Sequence, residues 1–241
     1  MLTPQDWRRH VWWPGLAFAF ALSCVTFGEL DMPIAHALFY SDATWLGAGA
    51  GDWWAHTLLH GGGRWLVRGV AATAAVYWLL SRAYTPLAGW RREALFVFAG
   101  IIATVALVGT LKSLTNVDCP WDLAGFGGTR PYVALLGDRP DYLPRARCFP
   151  GAHSSSGFAL LALYFALRDR ARPAARVALV AGISIGAAFA VGQEARGAHF
   201  LSHDLASAAL VWLALVWLYS RMLARRASTD RGGPACTQPC R

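Results

Sequence analysis

The sequence predicts an all-α, polytopic membrane bundle of six transmembrane helices, with both termini cytoplasmic and a functional site at the periplasmic face. Three observations carry this expectation. The 241-residue chain is 56% hydrophobic and only 15% charged, too apolar for an ordinary soluble domain of its size. Its apolar residues gather in runs close to the roughly 20 residues that cross a bilayer. Its arginines cluster in alternate connections between those runs, as the positive-inside rule requires.

The first run, 12–30, follows Arg8 and Arg9 and is not followed by a small-residue cleavage site. It therefore reads as a retained helix, not a signal peptide. Residues 31–64 hold no Lys or Arg before Arg64. Their stretch DWWAHTLLHGGG predicts an amphipathic helix in the headgroup layer, with His56 and His60 solvated. The second run, 65–81, is joined to the third, 94–112, by a connection bearing Arg82, Arg91 and Arg92. The fourth and fifth runs, 153–168 and 176–194, flank RDRARPAAR. The sixth, 204–221, is followed by Arg221, Arg225 and Arg226. Residues 1–226 thus read as one membrane domain, and the polar, Gly- and Pro-containing tail 227–241 as a disordered cytoplasmic extension. Cys24 falls within the first run and reads as core. The net charge of +8 is explained by topology, so no nucleic-acid partner is expected. The sequence sets no oligomeric state.

One connection departs from this charge pattern. Residues 113–152 lie on the side where positive charge is sparse, yet Lys112 borders them and they carry Arg130, Arg139, Arg145 and Arg147. Lys112 is the single lysine among 22 basic residues. A basic surplus on that side points to an anion.

Three clusters of titratable residues fall at the same membrane boundary: KSLTNVDCPW, with Lys112; CFPGAHSSSG, with His153 and Ser154; and GQEARGAHFLSHDL, with Arg196, His199, His203 and Asp204. Ionisable groups so near hydrocarbon signal function, because their desolvation must be offset. Lys, Arg, His and one Asp together suit phosphoryl transfer without a metal. Cations and helix-start N–H groups neutralise the non-bridging oxygens. One neutral His attacks phosphorus and an Asp orients it. A second His protonates the leaving oxygen and then activates water. Asp118 and Asp122 lack the acidic neighbours of a Mg²⁺ cage, so no metal and no cofactor are expected.

Over about 94–215 the chain resembles the type-2 phosphatidate phosphatase superfamily of membrane lipid phosphatases, whose soluble relatives include vanadate-dependent haloperoxidases. The family pattern is K-x6-RP, then PSGH, then SR-x5-H-x3-D. The first motif here reads Lys112-x6-Cys119-Pro120, with Cys in the Arg position; Arg130, ten residues past Pro120, is a candidate replacement, and Arg147 a further phosphate ligand. The second reads Pro150-Gly151-Ala152-His153, with Ser154 the nearest hydroxyl. In the third, matching GAHFLS to the form G-x-H-x-x-S-D makes His199 the nucleophile, with Gln193 in the Arg position, His203 in the Asp position and Asp204 one residue late. Taking Arg196 as the family Arg puts the matching His at Ser202, with His203 one residue late. On a regular helix Asp204 lies about 140° from His199. The His199–Asp204 pair therefore requires a helix that begins near Ser202 after an extended stretch. His199 is the preferred nucleophile and His203 the alternative.

The resemblance implies an enzyme of the bacterial inner membrane acting on a lipid phosphate or diphosphate: undecaprenyl diphosphate, phosphatidylglycerol phosphate, phosphatidate or lipid A 1-phosphate. Membrane lipids are the expected surroundings. A lipid-to-lipid phosphotransferase and a non-catalytic lipid-phosphate binder or transporter use the same residues and stay open. Cys119 and Cys148, bracketing the basic connection, are candidates for a disulfide on an oxidising face.

Overall fold

A computed structural model describes residues 3–224; the expected tail 227–241 lies outside the described residues. Seven helices account for most of them. They are α1 (Pro4–Phe27), α2 (Asp31–Phe39), α3 (Gly63–Ala83), α4 (Arg91–Leu114), α5 (Ala152–Leu167), α6 (Arg172–Ala195) and α7 (Leu201–Met222). Each of the six expected apolar runs coincides with one of these, α2 being the addition. By length and composition four can cross a membrane: α1, α4, α6 and α7. Helix α5 is apolar but shorter, and α3 carries Arg64, Arg68 and Arg82.

The fold is not wholly helical. Strands β1 (Tyr40–Ser41) and β2 (Thr44–Trp45) form an antiparallel hairpin. Its loop residues Asp42 and Ala43 have φ of 49° and 58°, the left-handed conformation a two-residue hairpin loop demands. Residues Trp53–Gly62 form a wide-turned π-helical segment that runs straight into α3.

The core lies where α4, α5 and α7 meet. Phe96, Ile101 and Val108 of α4 pack with Leu161 and Phe165 of α5 and with Val211, Leu215 and Tyr219 of α7, all buried. Helix α6 packs along α5, α3 along α4, and α1 along α7. The outward faces keep large apolar side chains: Trp12, Phe20, Phe27, Trp65, Val177 and Trp217 are exposed. In water such surfaces would drive association, whereas in hydrocarbon they are solvated. Cys24, expected in the core, is instead an exposed free thiol of α1. Helix α1 buries little of itself, so few of its positions can be core.

Within residues 31–64, the stretch Trp53–Gly62 packs on α6, and α2 contacts α6 and the start of α7. The buried Asp31 carboxylate accepts the Ser202 N–H at 3.0 Å through Oδ1 and the Ser202 hydroxyl at 2.5 Å through Oδ2. Burial pushes its pKa up, against these two hydrogen bonds. Asp31 thus caps α7 from a distant part of the chain, where an acid meets the positive end of the helix. Removing it leaves a buried donor unpaired, so Asp31→Ala is expected to destabilise the protein by about 1–3 kcal/mol. Thermal unfolding in detergent reads this as a lower Tm, and an unchanged Tm contradicts the role assigned to Asp31.

Candidate active site

The turn between α6 and α7 sets the geometry. Helix α6 stops at Ala195. Gly197 takes φ +71°, and a Cβ there would drive into the Trp45 ring. Phe200 is extended, with φ −93° and ψ 163°, and α7 starts one residue later. Helix α7 therefore begins where the His199–Asp204 pairing requires. His199 Nδ1 lies 2.7 Å from Asp204 Oδ1, and both side chains are about 3% exposed.

The first turn of α5 comes down on this pair. Ser154 donates its hydroxyl to Asp204 Oδ1 at 2.5 Å, so the structure places the expected phosphate-binding hydroxyl on the orienting acid. The Gly151 N–H donates to the His203 carbonyl at 3.1 Å. The Ser207 hydroxyl donates to the Gly151 carbonyl at 2.8 Å. Gly151 backbone approaches so closely that a Cβ would collide with Asp204 Oδ1 and come within 2.7 Å of His199 Nδ1. Position 151 therefore admits only glycine without displacing the pair. Asp204 Oδ2 has no hydrogen-bond partner among the described residues, and Glu194 stands beside Asp204.

Two cations face this centre without acid partners among the described residues. Lys112, from the last turn of α4, lies within electrostatic reach of Asp204, His199 and His203. Arg196 has one hydrogen bond, to Gln193 Oε1 at 3.4 Å. Burial pulls the Arg196 pKa below its usual range, and distant Asp52 only partly opposes this. Burial, with Lys112 and Arg196 added, holds His199 well below the usual imidazole value, although its partner Asp204 pulls the other way. This favours the neutral imidazole, and the tautomer that donates Nδ1–H to Asp204 leaves Nε2 with its lone pair.

His153 is buried and stacks on Phe189 with ring centroids 4.6 Å apart. Its Nε2 lies 3.2 Å from the Leu59 carbonyl. His60, expected to be solvated, packs on His153 with centroids 4.4 Å apart, and its Nδ1 lies 3.0 Å from Gln193 Nε2. Burial, then Arg196, Arg64, His56 and His199, lower the His60 pKa to about 4. Its i,i+4 spacing with His56 was visible in the sequence. Its proximity to His153 was not, because it depends on the π-helical winding of 53–62. His56 remains exposed and stacks on His60.

His203, the alternative nucleophile, is buried with its ring 6.2 Å from that of His199. It stands edge-on to Phe149 and Phe200, and its Nδ1 has no partner among the described residues.

The basic connection is held by its own acids. Arg130 pairs with Asp118 Oδ1 at 2.6 Å and with Asp122 at 3.4 Å. Arg139 engages both oxygens of Asp118 at 2.9 Å. Burial would raise the Asp118 pKa, but hydrogen bonds from Arg139 and Arg130 outweigh it and hold the carboxylate low. Arg145 donates to the Ser113 carbonyl, and Arg147 is exposed. Among the described residues neither Arg130 nor Arg147 makes a hydrogen bond to His199 or Asp204. Cys119 and Cys148 are joined in a disulfide. The Cys148 N–H donates to Val117, and the Trp121 N–H to Gly197, so this connection is pinned directly to the site turn. Among the described residues no three His, Cys, Asp or Glu side chains are placed to hold a metal ion.

A groove of about 330 Å³ opens beside His153. Its polar end is formed by His60, Arg64 and His153, and its wall by Val67, Ile101 and Val105.

The buried His–Asp pair, unpaired cations and second histidine come from α4, α5 and α6–α7, and the model of one protein family spans these elements. The family described as the PAP2 superfamily matches residues 93–227, more than half the chain. No curated protein and no solved structure matches it. The chain belongs to the PAP2 superfamily, the phosphatase superfamily that its three motifs resembled.

Proposed function

We propose that the protein is an integral membrane phosphatase that hydrolyses a lipid phosphate or lipid diphosphate through a phospho-histidine at His199, without a metal. The carrying observation is the dry His199–Asp204 hydrogen bond flanked by two cations with no acid partner. Cations held there without a salt-bridge partner favour an anionic ligand, and a phosphoryl group is one. His199 Nε2 attacks phosphorus while Asp204, fixed by Ser154, stabilises the ring as it becomes positive. Lys112 and Arg196 neutralise the non-bridging oxygens. His153 gives its proton to the leaving oxygen, then takes one from the water that cleaves the N–P bond. Arg130 and Arg147 draw anions toward the site electrostatically without binding the transferred group. His203 packs behind His199 and positions it.

The groove beside His153 supports a lipid substrate: its apolar wall fits a hydrocarbon chain, and its polar end borders the proposed leaving group. In this reading all six long helices span the membrane. The arginines at 8–9, 82–92, 168–176 and 221 face the cytoplasm with both termini. The Cys119–Cys148 disulfide supports an oxidising, periplasmic side for the site of a bacterial inner-membrane protein. Residues 1–226 then form the membrane domain, with 94–215 as its motif-bearing core.

A denaturing alkaline quench, which preserves the acid-labile N–P bond of phospho-histidine, with ³²P-labelled substrate is expected to trap phospho-enzyme in wild type and in His203→Ala, and none in His199→Ala. His199→Ala should also lose at least about 10³-fold in kcat. Full trapping in His199→Ala contradicts the assignment. Because the His199 pKa is lowered, its reactive neutral form persists as pH falls. kcat/KM is therefore expected to hold from pH 8 to pH 6 and to drop only as the pH passes through the lowered value. An acid limb centred at the ordinary imidazole value, about 6.5, argues against it. Filling the groove from its exposed wall with Val105→Trp should lower kcat/KM for a long-chain lipid phosphate by about tenfold and leave a short water-soluble phosphate ester unaffected. Equal losses on both substrates would exclude the groove as the chain site.

A further inference from the structure

A second polar cavity, of about 770 Å³, lies at the other end of the bundle. Helix α5 separates it from the His199 pair by its length, about 24 Å at 1.5 Å per residue. Helix α1 packs on α7 and α6 packs on α5, and the cleft between α1 and α6 is the cavity. Four arginines line it, Arg9, Arg168, Arg172 and Arg176, against two carboxylates, Asp6 and Asp169.

Both carboxylates are already engaged. Arg168 pairs with Asp6 and, at 3.6 Å, with Asp169, which also accepts the Tyr219 hydroxyl. Arg168 lies over the Tyr219 ring at 4.8 Å. Arg9, Arg172 and Arg176 make no hydrogen bond or ion pair among the described residues, and their exposed side chains stand at the mouth. The floor is rigid: buried His10 lies 2.8 Å from the Tyr164 hydroxyl through Nε2, and its carbonyl accepts the Trp212 indole N–H at 2.7 Å. Pro14 and Leu179 give the cavity an apolar wall toward the lipid-facing side. Exposed Trp12 and Trp13 mark the depth of a membrane interface beside it.

We propose that this cavity is a second phosphate site, which seats the headgroup phosphate of an anionic phospholipid on Arg9, Arg172 and Arg176 with an acyl chain along Pro14 and Leu179. Basic pockets between membrane helices recognise anionic headgroups in this way. The segment 225–241 is a poor occupant, because it carries four arginines and one aspartate. The site is separate from the proposed reaction, so the two readings fail independently.

Native mass spectrometry of the purified full chain tests it. Phosphatidylglycerol, phosphatidylcholine with the same chains, and inorganic phosphate are offered separately and in competition. Wild type and His199→Ala are expected to retain one phosphatidylglycerol in preference to phosphatidylcholine. Arg172→Gln/Arg176→Gln should retain it roughly tenfold less or weaker, with an unchanged Tm in detergent as proof of folding. Arg9→Gln, on a different helix, should show a smaller loss in the same direction. Retention unaffected by any of these arginine changes, retention lost only in His199→Ala, or displacement of the lipid by equimolar inorganic phosphate would each overturn the proposal.

Discussion

A neutral imidazole can be kept in a dry pocket only if its N–H has a fixed acceptor and its other nitrogen is left open. The hydrogen bond from His199 to Asp204 meets both conditions, and much of the local structure exists to hold it. Asp204 projects from the first turn of α7, so the position of that turn decides whether the pair forms. Asp31 caps the turn, Gly151 and Ser207 tie it to α5, and Ser154 fixes the acid itself. A buried pair of this kind is costly to disturb, since a lone carboxylate in the same place would lack compensation. The cations act on the same bond: Lys112 and Arg196 raise the cost of protonating His199.

The outer connections act on the site through its turn. The Trp45 ring occupies the space that a side chain at 197 would need, and the Gly47 N–H donates to the Ala195 carbonyl at 2.8 Å. The disulfide closes the 119–148 connection and so limits the unfolded chain, by about 3–4 kcal/mol for a loop of this length. Arg130 and Arg139 are bound to Asp118, which makes this basic loop a braced wall. Positive charge there is structural first and electrostatic second.

The long helices were legible because apolar runs of fixed length have few other solutions. The three clusters were legible because ionisable residues stand out against hydrocarbon. The His199–Asp204 contact could not be read by counting residues, since His199 and His203 each fit part of a pattern. It depends on the left-handed Gly197 and the extended Phe200, which start α7 late enough for Asp204 to turn back. His60 and Asp31 were missed for a related reason. Their contacts are with His153 and Ser202, 93 and 171 positions away, and local pattern carries no record of such neighbours. The hairpin around Asp42 escaped notice because four residues of strand are too short to show alternation.

A structure of the protein with orthovanadate, which mimics a phosphoryl group in transfer, tests the central claim directly. The account predicts vanadium bonded to His199 Nε2, with Lys112 and Arg196 on its oxygens. Vanadate seated away from His199, for instance on Arg145 and Arg147 of the basic connection, would contradict it.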